Sequence, residues 1–456
     1  MSSDQSRRAF LKRSAALSLA GTATPFVMNL ATIGEAAAAV ATDYKAIVCV
    51  FLYGGNDFAN TLVPYDGTNY TLYQALRPSI AIARDALTPT LLNPTTPLAG
   101  GAQYALAPSL APLLPIFNAG KMAAVLNVGT LVQPTTKAQY QAKSAPLPPK
   151  LFSHNDQASY FQSSSPEGAD SGWGGRMGDL LQSGNGNATL TCINVSGNAV
   201  FVSGKSATQY SMGFYGPKPL YGNQSTLFTS ATANSVMRSM ITAPRTHLFE
   251  NEHTRVAKRS LDAFTQVSSA LNSVPEFKTP WNGHNLLAVQ LKLCARMIAS
   301  SQALGAKRQV FFVSQGGFDL HSELSTRHPL LMATLAEALK SFYDTTVELG
   351  IADKVTLFTG SDFGRSIVNN NDGSDHGWGS SHFIMGGAVK GKQIYGKSPV
   401  LANNGPDDVG QGRLLPTTSV DQYAATLASW FGVSDSQMSM VLPNIGNYST
   451  RNLGFV

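Results

Sequence analysis

The chain has 456 residues, with 33 lysines and arginines against 27 aspartates and glutamates, and only 13% of it is charged. That length exceeds a typical single core but still fits one large α/β domain carrying insertions. Beyond residue 41 there is no run of like charge and no basic stripe with interleaved aromatics, which argues against a nucleic-acid partner. Three cysteines are too few for a disulfide scaffold.

Ser6-Arg7-Arg8-Ala9-Phe10-Leu11-Lys12 matches a twin-arginine export signal. A weakly apolar stretch from Ala15 to Ile33 follows, then the small-residue tract Ala36-Ala37-Ala38-Ala39-Val40-Ala41, with several A-x-A cleavage sites. Pro25, Asn29 and the threonines dilute that stretch below the about twenty apolar residues a membrane span needs. Residues 1–41 are therefore read as a signal peptide, leaving 42–456 as a single periplasmic or secreted domain without an integral span. Cleavage would remove Arg7, Arg8, Lys12, Arg13, Asp4 and Glu35, taking the 33 basic and 27 acidic residues to 29 and 25. So small an excess identifies no partner.

The first core strand is predicted over 46–53, Ala46-Ile47-Val48-Cys49-Val50-Phe51-Leu52-Tyr53. Pro108–Asn118 reads as a short helix and 122–128 as a second core strand. A Pro/Thr/Gln/Lys-rich stretch, 133–150, reads as a long loop before a helix that Ser153 or Asn155 caps. Another helix starts at Gly172-Trp173-Gly174-Gly175-Arg176, and short strands are expected near 189–195 and 199–203. The Gly/Ser/Tyr/Asn-rich segment 204–232 lacks periodicity and opens an insertion around 204–280, while 234–304 is mainly helical. A strand at 309–314, a helix near 329–349 and a strand at 354–359 make a β-α-β unit, which favours parallel pairing. One more short strand begins at His382, and a last helix at Ser419. The fold class is α/β: a doubly wound, mostly parallel sheet with helices on both faces.

Three of these strands break into glycine and then present an aspartate: Gly54-Gly55-Asn56-Asp57, Gly316-Gly317-Phe318-Asp319 and Gly360-Ser361-Asp362. Ligands of open α/β sheets bind beyond the carboxyl ends of the strands, so these carboxylates are expected to converge and to need a cation, a proton or arginine. Asp57 alone reads equally well as a rim ligand or as a turn cap. Asp319 and His321, two apart, share a side of an extended segment, and such a pair suits zinc, manganese or iron or else simply a mutual hydrogen bond. Arg365 could neutralise a neighbour or grip an anionic substrate. The polar loop 369–381 holds Asp375, His376 and Trp378, with His382 just beyond, and reads as an arm of the site. Ser153 at a helix start is either a cap or a hydroxyl favoured by the helix dipole. Cys192 and Cys294 could pair in an oxidising compartment, which the sequence alone does not show.

With these residues in view, the chain resembles domain-of-unknown-function family 1501, exported bacterial proteins of the alkaline-phosphatase-like clan. The resemblance rests on Phe51-Leu52-Tyr53-Gly54-Gly55-Asn56-Asp57, Ser153-His154, Gly172-Trp173-Gly174-Gly175-Arg176, Gly317-Phe318-Asp319-Leu320-His321, Ser361-Asp362-Phe363-Gly364-Arg365 and Asp375-His376-Gly377-Trp378-Gly379. It implies an alkaline-phosphatase-like fold, a metal site and a serine or threonine nucleophile. Carried over by motif, Ser153 takes the nucleophile position. Asp57, Asp319, His321, Asp362 and His376 or His382 become ligands of one or two divalent ions, zinc, manganese or similar. Phe363 stands where the clan has a ligand histidine, and Asp319 and His321 are closer in sequence than the clan's ligand pair, which leaves a one-metal site and a degenerate site both open. The expected function is an exported metal-dependent hydrolase or transferase of phosphate or related esters, acting on a small-molecule or polymer substrate. The alternative is a non-catalytic exported scaffold with a degenerate metal site and an exported protein partner.

Overall fold

In the computed structural model, which describes residues 43–456, strand β1 (Lys45–Leu52) is the axis on which the layers are built. The expected export signal at 1–41 lies outside the described residues. All of β1 but Lys45 is buried. Ala46, Val48, Val50 and Leu52 face one apolar cluster while Ile47, Cys49 and Phe51 face another. A strand covered on both faces needs an unbroken apolar run, because successive side chains point to opposite sides.

The other strands are β2 (Leu62–Pro64), β3 (Tyr104–Leu106), β4 (Met122–Gly129), β5 (Cys192–Asn194), β6 (Tyr210–Ser211) and β7 (Arg308–Gln315). They continue with β8 (Val355–Ser361), β9 (Arg365–Asn369), β10 (Ser374–His376), β11 (Ser380–Gly386), β12 (Gln393–Tyr395) and β13 (Thr418–Ser419). The main sheet has nine strands in the order β12-β4-β11-β8-β1-β7-β5-β6, with β13 also on β4; β9–β10 and β2–β3 form separate ribbons. In the main sheet only β11 runs antiparallel, against β4 and β8. The longer helices are α1 (Gly67–Leu76), α2 (His154–Ser163), α3 (Trp173–Leu181), α4 (Ala231–Thr242), α5 (Leu248–Asn272), α6 (Leu286–Ala299), α7 (Leu324–Glu348) and α8 (Val420–Phe431). Helices α6 and α7 pack in the first apolar cluster and α3 and α8 in the second, so the sheet is wound on both faces as expected.

β1 is flanked by β8 and β7, both parallel, and Leu52 pairs with Ser361 on one side and Gln315 on the other. The three strands therefore end level, and the turns at Gly54-Gly55 and Gly316-Gly317 leave from the edge where Asp362 follows β8; Gly360 itself stays within β8, paired with Phe51. Gly54 needs to be glycine twice over. Its φ is +112°, and a Cβ there would lie 2.4 Å from the backbone nitrogen of Asp319.

Some local readings differ. Residues 200–202 form a 3-10 turn rather than a strand. Phe201 is buried against the start of α3, where Cβ atoms on Gly172 and Gly174 would strike residues 200–201, so the apolar run serves that contact instead of a ladder. Pro108–Leu113 is 3-10 and only Leu114–Asn118 is α. All three cysteines are buried and free, so Cys192 and Cys294 do not pair. Among the described residues no helix is long and apolar enough to cross a membrane.

Candidate metal centre

Asp319 leaves the end of β7 half-exposed, and its Oδ1 is the point on which the site closes. The Nε2 atoms of His321, His154 and His376 lie 3.1, 3.3 and 3.5 Å from it, and Arg365 Nη1 lies at 3.0 Å. Burial alone would raise the Asp319 carboxyl, but Arg365, His154 and His321 together hold it below its ordinary value. His154 opens α2, His376 ends β10, and Asp319 and His321 follow β7, so three remote segments meet here. Ligand atoms of His154, Asp319 and His376 all lie within 4.8 Å of one another, a grouping that could hold an ion. His321 Nε2 is 3.0 Å from His376 Nε2 and so borders the same space.

The outer nitrogens explain why the inner ones converge. His154 Nδ1 lies 2.7 Å from Asp362 Oδ2, His321 Nδ1 lies 3.0 Å from Asp375 Oδ1, and His376 Nδ1 lies 2.7 Å from the Phe152 carbonyl. A carboxylate or carbonyl can only accept, so each Nδ1 carries a proton, and each Nε2 is turned inward, where the neutral ring would present a lone pair. His154 Nε2 is buried and makes no hydrogen bond among the described residues. The hydrogen bond His154 donates to Asp362 raises the His154 pKa, while burial lowers that of His376.

Asp362 is buried at the end of β8, where Oδ2 also accepts from the Gly54 backbone at 3.0 Å, and burial raises its pKa. The backbone at Phe152 is unusual. Its φ is +71°, left-handed for a bulky residue, and its ring is held by Trp378, edge-on with ring centres 6.2 Å apart, and by Arg413.

The remaining expected site residues have other partners. Asp57 caps the turn Phe58–Asn60 and forms a fully buried ion pair with Arg77, Nη1 to Oδ1 at 2.7 Å, and Ser374 Oγ donates to its other oxygen at 3.3 Å. Burial pulls the Asp57 carboxyl upward, but Arg77 holds it below its usual value. The structure thus gives Asp57 a guanidinium where the sequence suggested an ion. Arg365, fully buried, donates to the Gly54 and Ser374 carbonyls as well as to Asp319, which makes it a clamp between the glycine turn and the cluster. His382 is not brought to the cluster. It sits within β11 between the rings of Phe161 and Tyr423, and burial pushes its pKa down to about 3. Ser153 Oγ donates to Asp156 Oδ2 at 2.9 Å, one residue before His154. Phe363 lies against both His154 and His376, at ring-centre distances of 4.8 and 4.9 Å, and fills the place expected for a further ligand.

His154 is the residue the sequence reading passed over. A reading that seeks a nucleophile stops at Ser153, though the adjacent imidazole was the available signal. Asp375 and Phe152 act through histidines, and no sequence pattern marks a carbonyl acceptor.

Solved structures similar to the chain include Ps i-CgsB in complex with k-i-k-neocarrahexaose, at 10% identity over 89% of this chain and 77% of that one, TM-score 0.36. The lipoteichoic acid synthase LtaP from Listeria monocytogenes is similar at 10% identity over 87% and 74%, TM-score 0.32. A mutant of the alkaline phosphatase PafA is similar at 9% identity over 72% and 64%, TM-score 0.29. Likeness this distant says nothing of chemistry. No curated protein matches the chain. The family model described as "Protein of unknown function (DUF1501)" matches residues 44–443, and the chain belongs to that family.

Proposed function

We propose that the protein is an exported metal-dependent hydrolase or transferase of phosphate or related esters, built around one divalent ion held by His154, Asp319 and His376, with His321 beside them. The observation that carries this is the arrangement of the three imidazoles, each anchored through Nδ1 so that its Nε2 faces Asp319. Three imidazole nitrogens and a carboxylate suit zinc, manganese or iron, and the buried, unbonded Nε2 of His154 is the kind of atom such an ion would satisfy. When bound, the ion would supply a Lewis acid and a positive charge beside the reacting oxygen.

The chain's own groups do the rest. Arg365 and the Gly54 amide fix Asp319 and Asp362, Asp362 fixes His154, and Asp375 and the Phe152 carbonyl fix His321 and His376. Ser153 is the proposed nucleophile. Its hydroxyl already points its proton at Asp156, and it precedes a ten-residue helix whose dipole favours negative charge there. The Phe363 ring walls the histidines and supports a single ion rather than two.

The second reading, an exported scaffold binding a protein partner, is favoured by the exposed rings of Tyr215, Phe228 and Phe249 in the insertion. The test is metal content by mass spectrometry of the purified protein, with turnover of aryl phosphates and phosphodiesters by wild type and Ser153→Ala, with and without chelator. Stoichiometric metal and chelator-sensitive, Ser153-dependent turnover support the enzyme. Absence of both supports the scaffold.

A further inference from the structure

We propose that Arg413 grips the anionic group of the ester; this rests on the metal-dependent esterase reading above and names the residue that recognises its substrate. The three positions around Arg413 are pinned by backbone hydrogen bonds. The Gly412 carbonyl accepts from Ile367 on β9 at 2.8 Å, the Leu414 carbonyl from Gly379 at 3.0 Å, and the Arg413 carbonyl from Val409 at 3.0 Å. The side chain is anchored on the site itself. Nε donates to the carbonyl of His376 at 3.1 Å, and the guanidinium carbon lies 4.2 Å from the centre of the Phe152 ring.

That leaves both Nη groups, the end of the fork that meets an oxyanion with two parallel hydrogen bonds, without a protein partner among the described residues. The other arginines nearby are committed. Arg365 is fully buried, with Nη1 on Gly54 and Asp319 and the rest of the fork on Ser374. Arg77 is equally buried and spent on Asp57 and Asn60. Arg413 is only partly buried. A guanidinium fixed by a proposed ligand and by the ring whose carbonyl holds that ligand needs no reorganisation to receive an anion, and its partners set its position relative to the ion.

The probe is inorganic phosphate, titrated by calorimetry into the zinc-loaded full-length protein and into Arg413→Gln and Arg413→Lys, with zinc content measured on each. Phosphate affinity is expected to fall about tenfold to a hundredfold in Arg413→Gln, with zinc unchanged, and to recover in part in Arg413→Lys. Equal phosphate affinity in Arg413→Gln, or none in wild type, overturns the assignment. Loss of zinc from Arg413→Gln also overturns it, because the residue would then act only through His376. Wild type that takes up no zinc sinks the metal reading alone, and the phosphate titration then still reads Arg413.

Discussion

The carbonyl of Phe152 accepts the Nδ1 proton of His376 at 2.7 Å, and it does so from a left-handed backbone, φ +71°. For a bulky residue that conformation costs on the order of 1–2 kcal/mol. Phe152→Pro, which locks φ near −65°, should turn the carbonyl away and weaken zinc binding about tenfold to a hundredfold. Phe152→Gly, which keeps the left-handed region open, should bind zinc within a few-fold of wild type. Competition against a chromophoric chelator measures both, and equal affinities in the two variants would show that the carbonyl does not matter.

Asp57 should matter to stability rather than to the ion. Breaking its buried pair with Arg77 leaves an uncompensated guanidinium, so Asp57→Asn is expected to cost about 3–5 kcal/mol in denaturant unfolding. The zinc bound per folded molecule should stay the same. A variant of full stability that had lost its metal would return Asp57 to the ligand set.

Asp362→Asn should act through His154. An amide can donate to Nδ1, which would move the imidazole proton to Nε2, the atom facing Asp319. Zinc affinity should drop roughly tenfold to a hundredfold, read by the same chelator competition, and an unchanged value would remove Asp362 from the support of the site.

Asp421, on α8, gives a pH signature. Burial raises its carboxyl from 3.8 to about 6. The folded state therefore holds a proton between those values that the unfolded state lacks, so this group's contribution is present at low pH and is lost as pH rises through about 6. Two buried histidines run the other way. Burial lowers His328 to about 4 and His382 to about 3, so they destabilise the fold as pH falls below the usual histidine range. Asp421→Asn removes the opposing term. Its stability relative to wild type should fall between pH 6 and pH 4 by on the order of 3 kcal/mol, measured by urea unfolding across that range. A pH-independent difference would mean that Asp421 does not titrate there.

Legibility followed burial. β1, β7 and β8 could be placed side by side because strands covered on both faces advertise themselves as unbroken apolar runs, and the glycine turns after β1 and β7 marked the edge. Asp319 could be placed at that edge for the same reason, whereas His376 was marked only by its polar loop and by the family motif, with His382 as its alternative. The partners of the carboxylates could not. Arg77 ends a helix that carries little apolar pattern, and nothing in its neighbourhood says that it will be buried against Asp57. His382 was drawn toward the site by the polar loop before it, whereas β11 carries it into the sheet, where Thr359 Oγ1 lies 3.4 Å from its Nδ1. A histidine's chemistry is set by what its second nitrogen meets, and that is a property of the folded chain.

Phe363 sits within aromatic contact of two imidazoles and would collide with any side chain at Gly55, whose Cβ would lie 2.4 Å from the ring. On the single-ion reading proposed above, this hydrocarbon wedge occupies the place where a second cation would share an ester's negative oxygens. On that reading, charge building up on the departing side of the substrate would be met by fixed organic cations. Selectivity for one anion over another would be written in guanidinium geometry and be insensitive to which divalent ion the cell happens to supply.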